Sequence, residues 1–132
     1  MKSLKSFLSP KRKPNLKFVL SEAFVDEQGE PLEWEMRQLS GQEMLDISKN
    51  ASEDDQYSPL VISIANAMVF PDLCNKELLD GLSQRENRPV LKAEDALVTL
   101  LTQGELTELI SVFGNHNSTY ASFREQVEDA KN

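Results

Sequence analysis

The sequence predicts an α+β fold class, as a mainly helical single domain in which an N-terminal β-hairpin packs on about five helices. Apolar and polar residues alternate over residues 17–39, which is the period of half-buried strands. From residue 40 onward, helix start signals precede apolar residues at spacings of three and four. A chain of 132 residues has the length of one domain with one modest core.

The strands of the hairpin are predicted around Phe18 and Leu20 and, after a turn, around Trp34 and Met36. Between them, the polar stretch Asp26-Glu27-Gln28-Gly29-Glu30-Pro31 predicts the turn. Because an isolated hairpin is only marginally stable in water, we expect it to pack on the helices.

The first helix has the clearest start signal. Ser40-Gly41-Gln42-Glu43 matches a capping box, in which the serine and glutamate side chains satisfy two backbone N–H groups. Leu39 and Met44 occupy the two positions of a hydrophobic staple. We expect the helix to end near Asn50 and a polar linker to follow at Glu53-Asp54-Asp55.

A second helix is predicted to start at Ser58-Pro59, a cap followed by proline, and to end at Pro71. It is apolar on most of its circumference, so we expect it to lie at the centre of the core. A short helix is predicted over 75–81, with Gly81 as its C-cap, before a charged loop over 84–88.

Further helical segments are predicted in the last third of the chain. One starts at Ala93, Gly104 breaks or kinks the pattern, and the next segment is closed by Gly114. A final helix is predicted from Asn117 or Ser118. Its apolar face consists of Tyr120, Phe123 and Val127.

Charge is divided unevenly along the chain. The first 18 residues carry six basic residues and no acid, whereas the rest carries eight basic and 22 acidic residues. An acidic body repels phosphates, so binding of nucleic acid by the body is not expected. The predicted organisation is a basic flexible arm (residues 1–15), a single helical domain (16–128) that contains the hairpin, and a frayed C-terminal tail (129–132).

The arm carries the candidate partner-binding residues. Leu4, Phe7 and Leu8 are spaced to share one face of a helical turn. The basic cluster Lys11-Arg12-Lys13 suits nucleic acid or an acidic partner, or belongs to a solvated tail.

No pairing of residues in the sequence suits catalysis, a cofactor or a metal ion. His116, the single histidine, is expected to be a surface residue of a polar turn. Cys74, the single cysteine, is expected to be a small buried hydrophobe, and one histidine with one cysteine cannot form a zinc site. We therefore expect a protein that is not an enzyme, with no cofactor and no small-molecule substrate.

The single cysteine excludes an intrachain disulfide and indicates a reducing compartment. No run has the form of a signal peptide, and none approaches the ~20 apolar residues that span a bilayer. We expect a cytoplasmic protein without a membrane partner. The residues alone leave three functional classes open. The protein could be a binding module, a nucleic-acid-associated regulator that uses the arm, or an enzyme whose active site consists of acidic residues.

Three pieces of sequence, in order, narrow these classes. The hairpin runs into Leu39-Ser40-Gly41-Gln42-Glu43. The second piece is Val69-Phe70-Pro71-Asp72-Leu73-Cys74-Asn75-Lys76-Glu77-Leu78-Leu79-Asp80. The third is Leu101-Thr102-Gln103-Gly104-Glu105, which leads to Phe113-Gly114. In this order and spacing, residues 16–114 resemble the XkdN-like phage tail assembly chaperones.

This resemblance implies a chaperone of phage or prophage tail assembly in the bacterial host cytoplasm, absent from the mature virion. Its implied partners are the tape-measure protein, a long amphipathic helix, and the tail-tube protein. The family pattern includes no catalytic or cofactor residues. Segments 59–70 and 97–113 hold more apolar positions than one small core can hide, which favours a helix-binding groove. The oligomeric state is left open, and a structural subunit of the virion is the alternative.

Overall fold

The computed structural model describes residues 3–50 and 57–118, and it has the α+β, mainly helical fold that the sequence predicts. In these two ranges, five α-helices accompany a three-stranded antiparallel sheet with the order β1-β2-β3. The polar linker expected at Glu53-Asp54-Asp55 and the final helix expected around Phe123 lie outside the described residues.

The predicted hairpin is confirmed. Strand β1 (Leu16–Phe18) pairs antiparallel with β2 (Trp34–Met36). The chain between them turns at the expected polar stretch, where Val25 and Pro31 form an isolated bridge. The Asp26 carboxylate accepts the backbone N–H groups of Gln28 and Glu30, at 2.8 and 2.9 Å. Gly29 has a φ of +83°, which glycine adopts without steric cost.

The third strand, β3 (Met68–Phe70), was not expected. Helix α2 (Pro59–Ala67) ends one residue before it, so the prediction of a helix up to Pro71 was wrong. A sheet of β1 and β2 alone would leave the second edge of β2 unpaired, and backbone groups at a protected edge need partners. β3 supplies them, with Phe70 opposite Glu35. Valine and phenylalanine also suit strands.

The other helices are α1 (Gly41–Asn50), α3 (Lys76–Glu86), α4 (Ala93–Leu100) and α5 (Gln103–His116). Both start signals read from the sequence are confirmed. The Glu43 N–H donates to the Ser40 hydroxyl and the Ser40 N–H donates to the Glu43 carboxylate, each at 3.0 Å. The Ser58 hydroxyl accepts the N–H of Val61 at the start of α2.

Two glycines that were expected to end helices lie inside them. α3 continues past Gly81 to Glu86 and ends at Asn87, which has a left-handed φ of 55°. Leu82, the residue after the glycine, is buried in the core. Burying a leucine contributes about 1.5–3 kcal/mol, whereas glycine in a helix costs about 0.5–1 kcal/mol, so the helix continues. Likewise, α5 passes Gly114 and ends at His116.

The predicted break near Gly104 lies slightly earlier. α4 ends at Leu100, and Thr102 caps α5 in a second capping box with Glu105. Gly104 is the second residue of α5 rather than the break itself.

The core joins the sheet to the helices. Its largest fully buried side chains are Met36, Ile64, Val90, Leu97 and Leu109. These residues come from β2, α2, the α3–α4 loop, α4 and α5. The sheet therefore packs on the helices, as expected of the hairpin. This packing leaves α1 at the margin of the core, with α2 beside it.

Candidate functional site

A groove of about 360 Å³ lies between α1, α2 and the end of α5. Among the described residues that line it, none carries a charge. Its lining consists of Leu39, Ser40, Gly41, Met44, Ser48, Pro59, Leu60, Ser63, Phe113 and Asn117. We call it the α1–α2 groove. An apolar concave surface without ionisable groups suits binding of an apolar side chain rather than acid–base chemistry.

Helix α1 is the unusual wall of this groove. It has apolar residues on one side, yet none of its ten residues is buried. Met44 is 53% exposed and Leu45 is 60% exposed, and Leu60 of α2 is 45% exposed. An amphipathic helix normally covers its apolar side with the core. In the described part of the chain, the apolar side of α1 is left for another surface to cover.

The start of α1 is fixed by an ion pair with Arg37, the residue that directly follows β2. The Arg37 guanidinium donates two hydrogen bonds to the Glu43 carboxylate, at 3.0 and 2.7 Å. The Ser40 N–H donates to the same carboxylate at 3.0 Å. The Arg37 contact, followed by the Ser40 N–H, lowers the pKa of Glu43 from 4.5 to about 2. This carboxylate holds the groove wall against the sheet.

We expect Glu43→Ala to lower the free energy of unfolding by about 1 kcal/mol, because it removes both the cap and the ion pair at a partly exposed site. Glu43→Gln retains the capping acceptor and should lose less. Because the folded-state pKa is lowered, the stabilisation is present above pH 4.5 and is lost as the pH falls towards 2. Urea denaturation at neutral and acidic pH measures it. Equal pH dependence in wild type and Glu43→Gln would contradict the prediction.

The end of α5 is held at the other side of the groove by three hydrogen bonds. The Gln38 side-chain amide donates to the His116 carbonyl at 2.9 Å, and the Leu39 N–H donates to the Asn117 side chain at 3.0 Å. The Lys13 ammonium donates to the Ser118 carbonyl at 2.9 Å. The β2–α1 connection and the arm therefore both anchor the point where the described chain ends.

His116 is buried, with 7% of its surface exposed, so the expectation of a surface histidine in a polar turn was wrong. It lies in the last turn of α5, because the helix does not end at Gly114. Its Nε2 has no hydrogen-bond partner among the described residues. Burial, and then the charge of Lys13, lower its pKa from the ordinary 6.5. Both effects favour the neutral ring.

We expect the protein to lose stability as the pH falls below 6.5, since the unfolded chain then binds a proton that the buried ring of His116 resists. The contribution is fully present above that pH and is lost through the folded-state pKa. Thermal unfolding at about pH 7.5 and about pH 5.5 measures it against the titration range of histidine. His116→Gln, which cannot titrate, is the control. The prediction is wrong if both proteins lose the same stability.

A polar pocket adjoins the α1–α2 groove and shares Leu39, Ser40, Gly41 and Asn117 with it. Its other lining residues include Arg12 and Lys13 of the arm and the ion pair of Arg37 with Glu43. Arg37 is neutralised by its partner, so the net charge beside the groove is positive. A binding partner that places an acidic residue next to its apolar side chains would match this arrangement.

The three partner-binding residues expected from the sequence lie outside the groove. Leu4, Phe7 and Leu8 belong to a short 3-10 helix (Leu4–Leu8) in the arm, and all three are exposed. The structure brings them together on one turn, without burying any of them. Sequence reasoning missed Met44 as an exposed groove residue, because it treated Met44 only as a staple position at the start of α1.

Residues that could carry chemistry are dispersed in the described ranges. No group of three or more His, Cys, Asp or Glu side chains there could hold a metal ion. Cys74 is exposed, so the expectation of a buried thiol was wrong. It lies before α3, where its N–H donates to Asp72, and Leu73 takes the buried position instead. None of the described helices is long and apolar enough to cross a membrane.

Comparison with protein families identifies the chain. The model of the phage XkdN-like tail assembly chaperone proteins matches residues 4–131, nearly the whole sequence. The chain belongs to this family. The family role is that of a tail assembly chaperone, which agrees with a site built for binding.

A solved structure supports the fold of this XkdN-like chaperone. The crystal structure of the protein YqbN is similar, with a TM-score of 0.67 at 15% sequence identity. The alignment covers 89% of this chain and 97% of YqbN. At this identity the likeness concerns the fold alone. A search of curated proteins gave no match.

Proposed function

We propose that this XkdN-like chaperone binds the tape-measure protein of its phage or prophage in the host cytoplasm and aids assembly of tail-tube subunits around it. The chaperone would then leave, so that the mature virion does not contain it. Membership of the tail assembly chaperone family supports this role. The exposed apolar side of α1 in the α1–α2 groove is the observation in the structure that carries it.

The binding mode that suits this surface is a helix in a groove. A tape measure with a long amphipathic helix exposes an apolar stripe that aggregates in water. The α1–α2 groove presents Met44 and Leu60 to such a stripe. Methionine adapts its shape to different partners, which suits a client with many similar turns. Arg12 and Lys13 would attract acidic residues that flank the stripe.

The arm is the second contact that we propose. Leu4, Phe7 and Leu8 are exposed together, at spacings that fit one side of a helical client. The tail-tube protein is the other possible partner of these residues. The acidic body would keep a complex in solution by mutual repulsion.

Co-expression with the tape-measure protein of the same phage tests the proposal. We expect the tape measure to become soluble and to purify with the chaperone as a complex. Unchanged solubility of the tape measure and no complex would sink the proposal. Detection of the chaperone in purified phage particles would instead favour a structural subunit of the virion.

A further inference from the structure

Gly81 lies at the centre of α3, where nothing in the described part of the chain requires a glycine. It is exposed, its φ is not left-handed, and a Cβ added to it would meet no atom within 4 Å. Glycine in the interior of a helix is destabilising relative to alanine. The other glycines lie in a turn or close to a helix end, at positions 29, 41, 104 and 114. The gap at Gly81 instead leaves room for another main chain to approach α3 closely.

The surface around Gly81 combines an apolar hollow with balanced charge. The hollow has a volume of about 520 Å³, and its apolar lining consists of Leu78, Leu82 and Leu100. A polar hollow that also reaches Gly81 adjoins it. The charged residues of the two hollows are two bases and two acids, Lys76, Arg85, Glu77 and Asp80. This surface is therefore locally neutral, although the whole chain carries a net charge of −8. A second copy is not repelled here as it is by a uniformly acidic surface.

Two opposite charges lie at equal distances from Gly81. Glu77 is four residues before it and Arg85 is four residues after it, on one row of the helix surface. Both side chains are exposed. Within residues 3–50 and 57–118, Glu77 makes no ion pair. The Arg85 guanidinium donates from Nε to the Glu86 carboxylate at 2.9 Å and from Nη2 to the Thr99 carbonyl at 3.0 Å. These bonds hold it beside the hollow and do not use its Nη1 atom.

We propose that two copies of this chain pair through α3, with the two helices antiparallel and crossing at Gly81. In a two-fold symmetric contact, Glu77 of each copy meets Arg85 of the other, so the same ion pair forms twice. The missing side chain at Gly81 lets the helices approach. The leucine-lined hollows of the two copies then face each other, and their apolar surfaces leave water together.

This contact is small and separate from the α1–α2 groove. One pair of crossing helices buries less than the roughly 1,200 Å² of a stable interface, so we expect a weak dimer that depends on concentration. The groove shares no lining residue with either hollow, so each copy keeps its groove open. The inference does not depend on the proposed function.

Sedimentation velocity of the full chain tests the ion pairs, at concentrations from about 1 to about 500 µM, the range in which a small interface associates. We expect the wild type to change from monomer to dimer. Glu77→Arg and Arg85→Glu each place like charges opposite one another, and each should weaken the dimer at least about tenfold. An equimolar mixture of these two variants should form a dimer again, because both ion pairs are restored between the unlike chains.

Glu108→Arg is the matched control, because it makes the same charge change on an exposed part of α5. It should form a dimer as the wild type does. The inference is overturned if the wild type stays monomeric over the whole range, if the mixture stays monomeric, or if the control weakens association as much as Glu77→Arg does.

Substitution of Gly81 separates association from stability. Gly81→Ala should raise the melting temperature by about 2–4 °C, because the added Cβ meets no atom and the unfolded chain loses freedom. Gly81→Leu holds the two helices apart and should weaken the dimer at least about tenfold. Gly81→Leu that forms a dimer as tightly as the wild type contradicts the crossing at Gly81. No tail protein takes part in these measurements, so their failure is distinct from a failure of co-expression.

Discussion

Replacing Leu97 with alanine is expected to lower the free energy of unfolding by about 2–5 kcal/mol. Leu97 lies in α4, is 0% exposed, and belongs to the cluster that joins α2, α4 and α5 to the sheet. The substitution removes buried methyl groups and leaves a cavity that rigid neighbours cannot fill completely. Natural domains have only about 5–15 kcal/mol of stability, so this loss is a large share.

Thermal and urea denaturation measure the effect of Leu97→Ala, with a decrease in melting temperature on the order of 10 °C. Leu91→Ala is the matched control, since Leu91 is 76% exposed in the loop before α4. We expect the control to change stability by less than about 0.5 kcal/mol. Similar losses in the two variants would contradict the core assignment.

The second large effect concerns binding. The double variant Met44→Glu with Leu60→Glu places two charges in the α1–α2 groove. Burying an unpaired carboxylate against an apolar client is unfavourable by several kcal/mol, so we expect tape-measure affinity to fall at least about 100-fold. Both residues are exposed, so the variant should fold with nearly unchanged stability.

Affinity of the purified chaperone for the tape-measure protein, measured by calorimetry, tests this variant. The arm variant Leu4→Ser, Phe7→Ser, Leu8→Ser is the comparison, because these residues are also exposed but lie outside the groove. A loss in the groove variant alone assigns the client to the groove. A loss in the arm variant alone assigns it to the arm and contradicts the proposed binding mode.

These two variants separate the arm, which the sequence predicts as the partner-binding surface, from the groove, which is seen only in the structure. The spacing of Leu4, Phe7 and Leu8 is visible in the sequence because no other element competes for the arm. The exposure of Met44 cannot be predicted from the sequence. The capping box and the staple positions predict where the helix starts, but they do not indicate which element packs on it. Exposure depends on where α2 and α5 lie, and that is a property of the assembled core.

The confirmed elements share one physical basis. The polar turn after Val25, the capping box at Ser40 and the cap at Ser58 each depend on hydrogen bonds within a few residues. Hydrogen bonds of this kind join residues that are close in sequence, so the residue types at neighbouring positions are enough to predict them. The family resemblance, now supported by the match over residues 4–131, depends on the order of the same local signals.

The sequence by itself determined the α+β class, the hairpin and its turn, and most helix starts, because backbone hydrogen bonding and apolar spacing act locally. Only the tertiary structure decided that Met68–Phe70 is a strand, that α3 and α5 continue past their glycines, and that His116 is buried. Each of these depends on a partner far along the chain. A local helix or turn preference is worth only about 1 kcal/mol per residue. It is outweighed by pairing at the free edge of β2, by burial of Leu82 in the core, and by the hydrogen bonds of Gln38 and Lys13 to the end of α5.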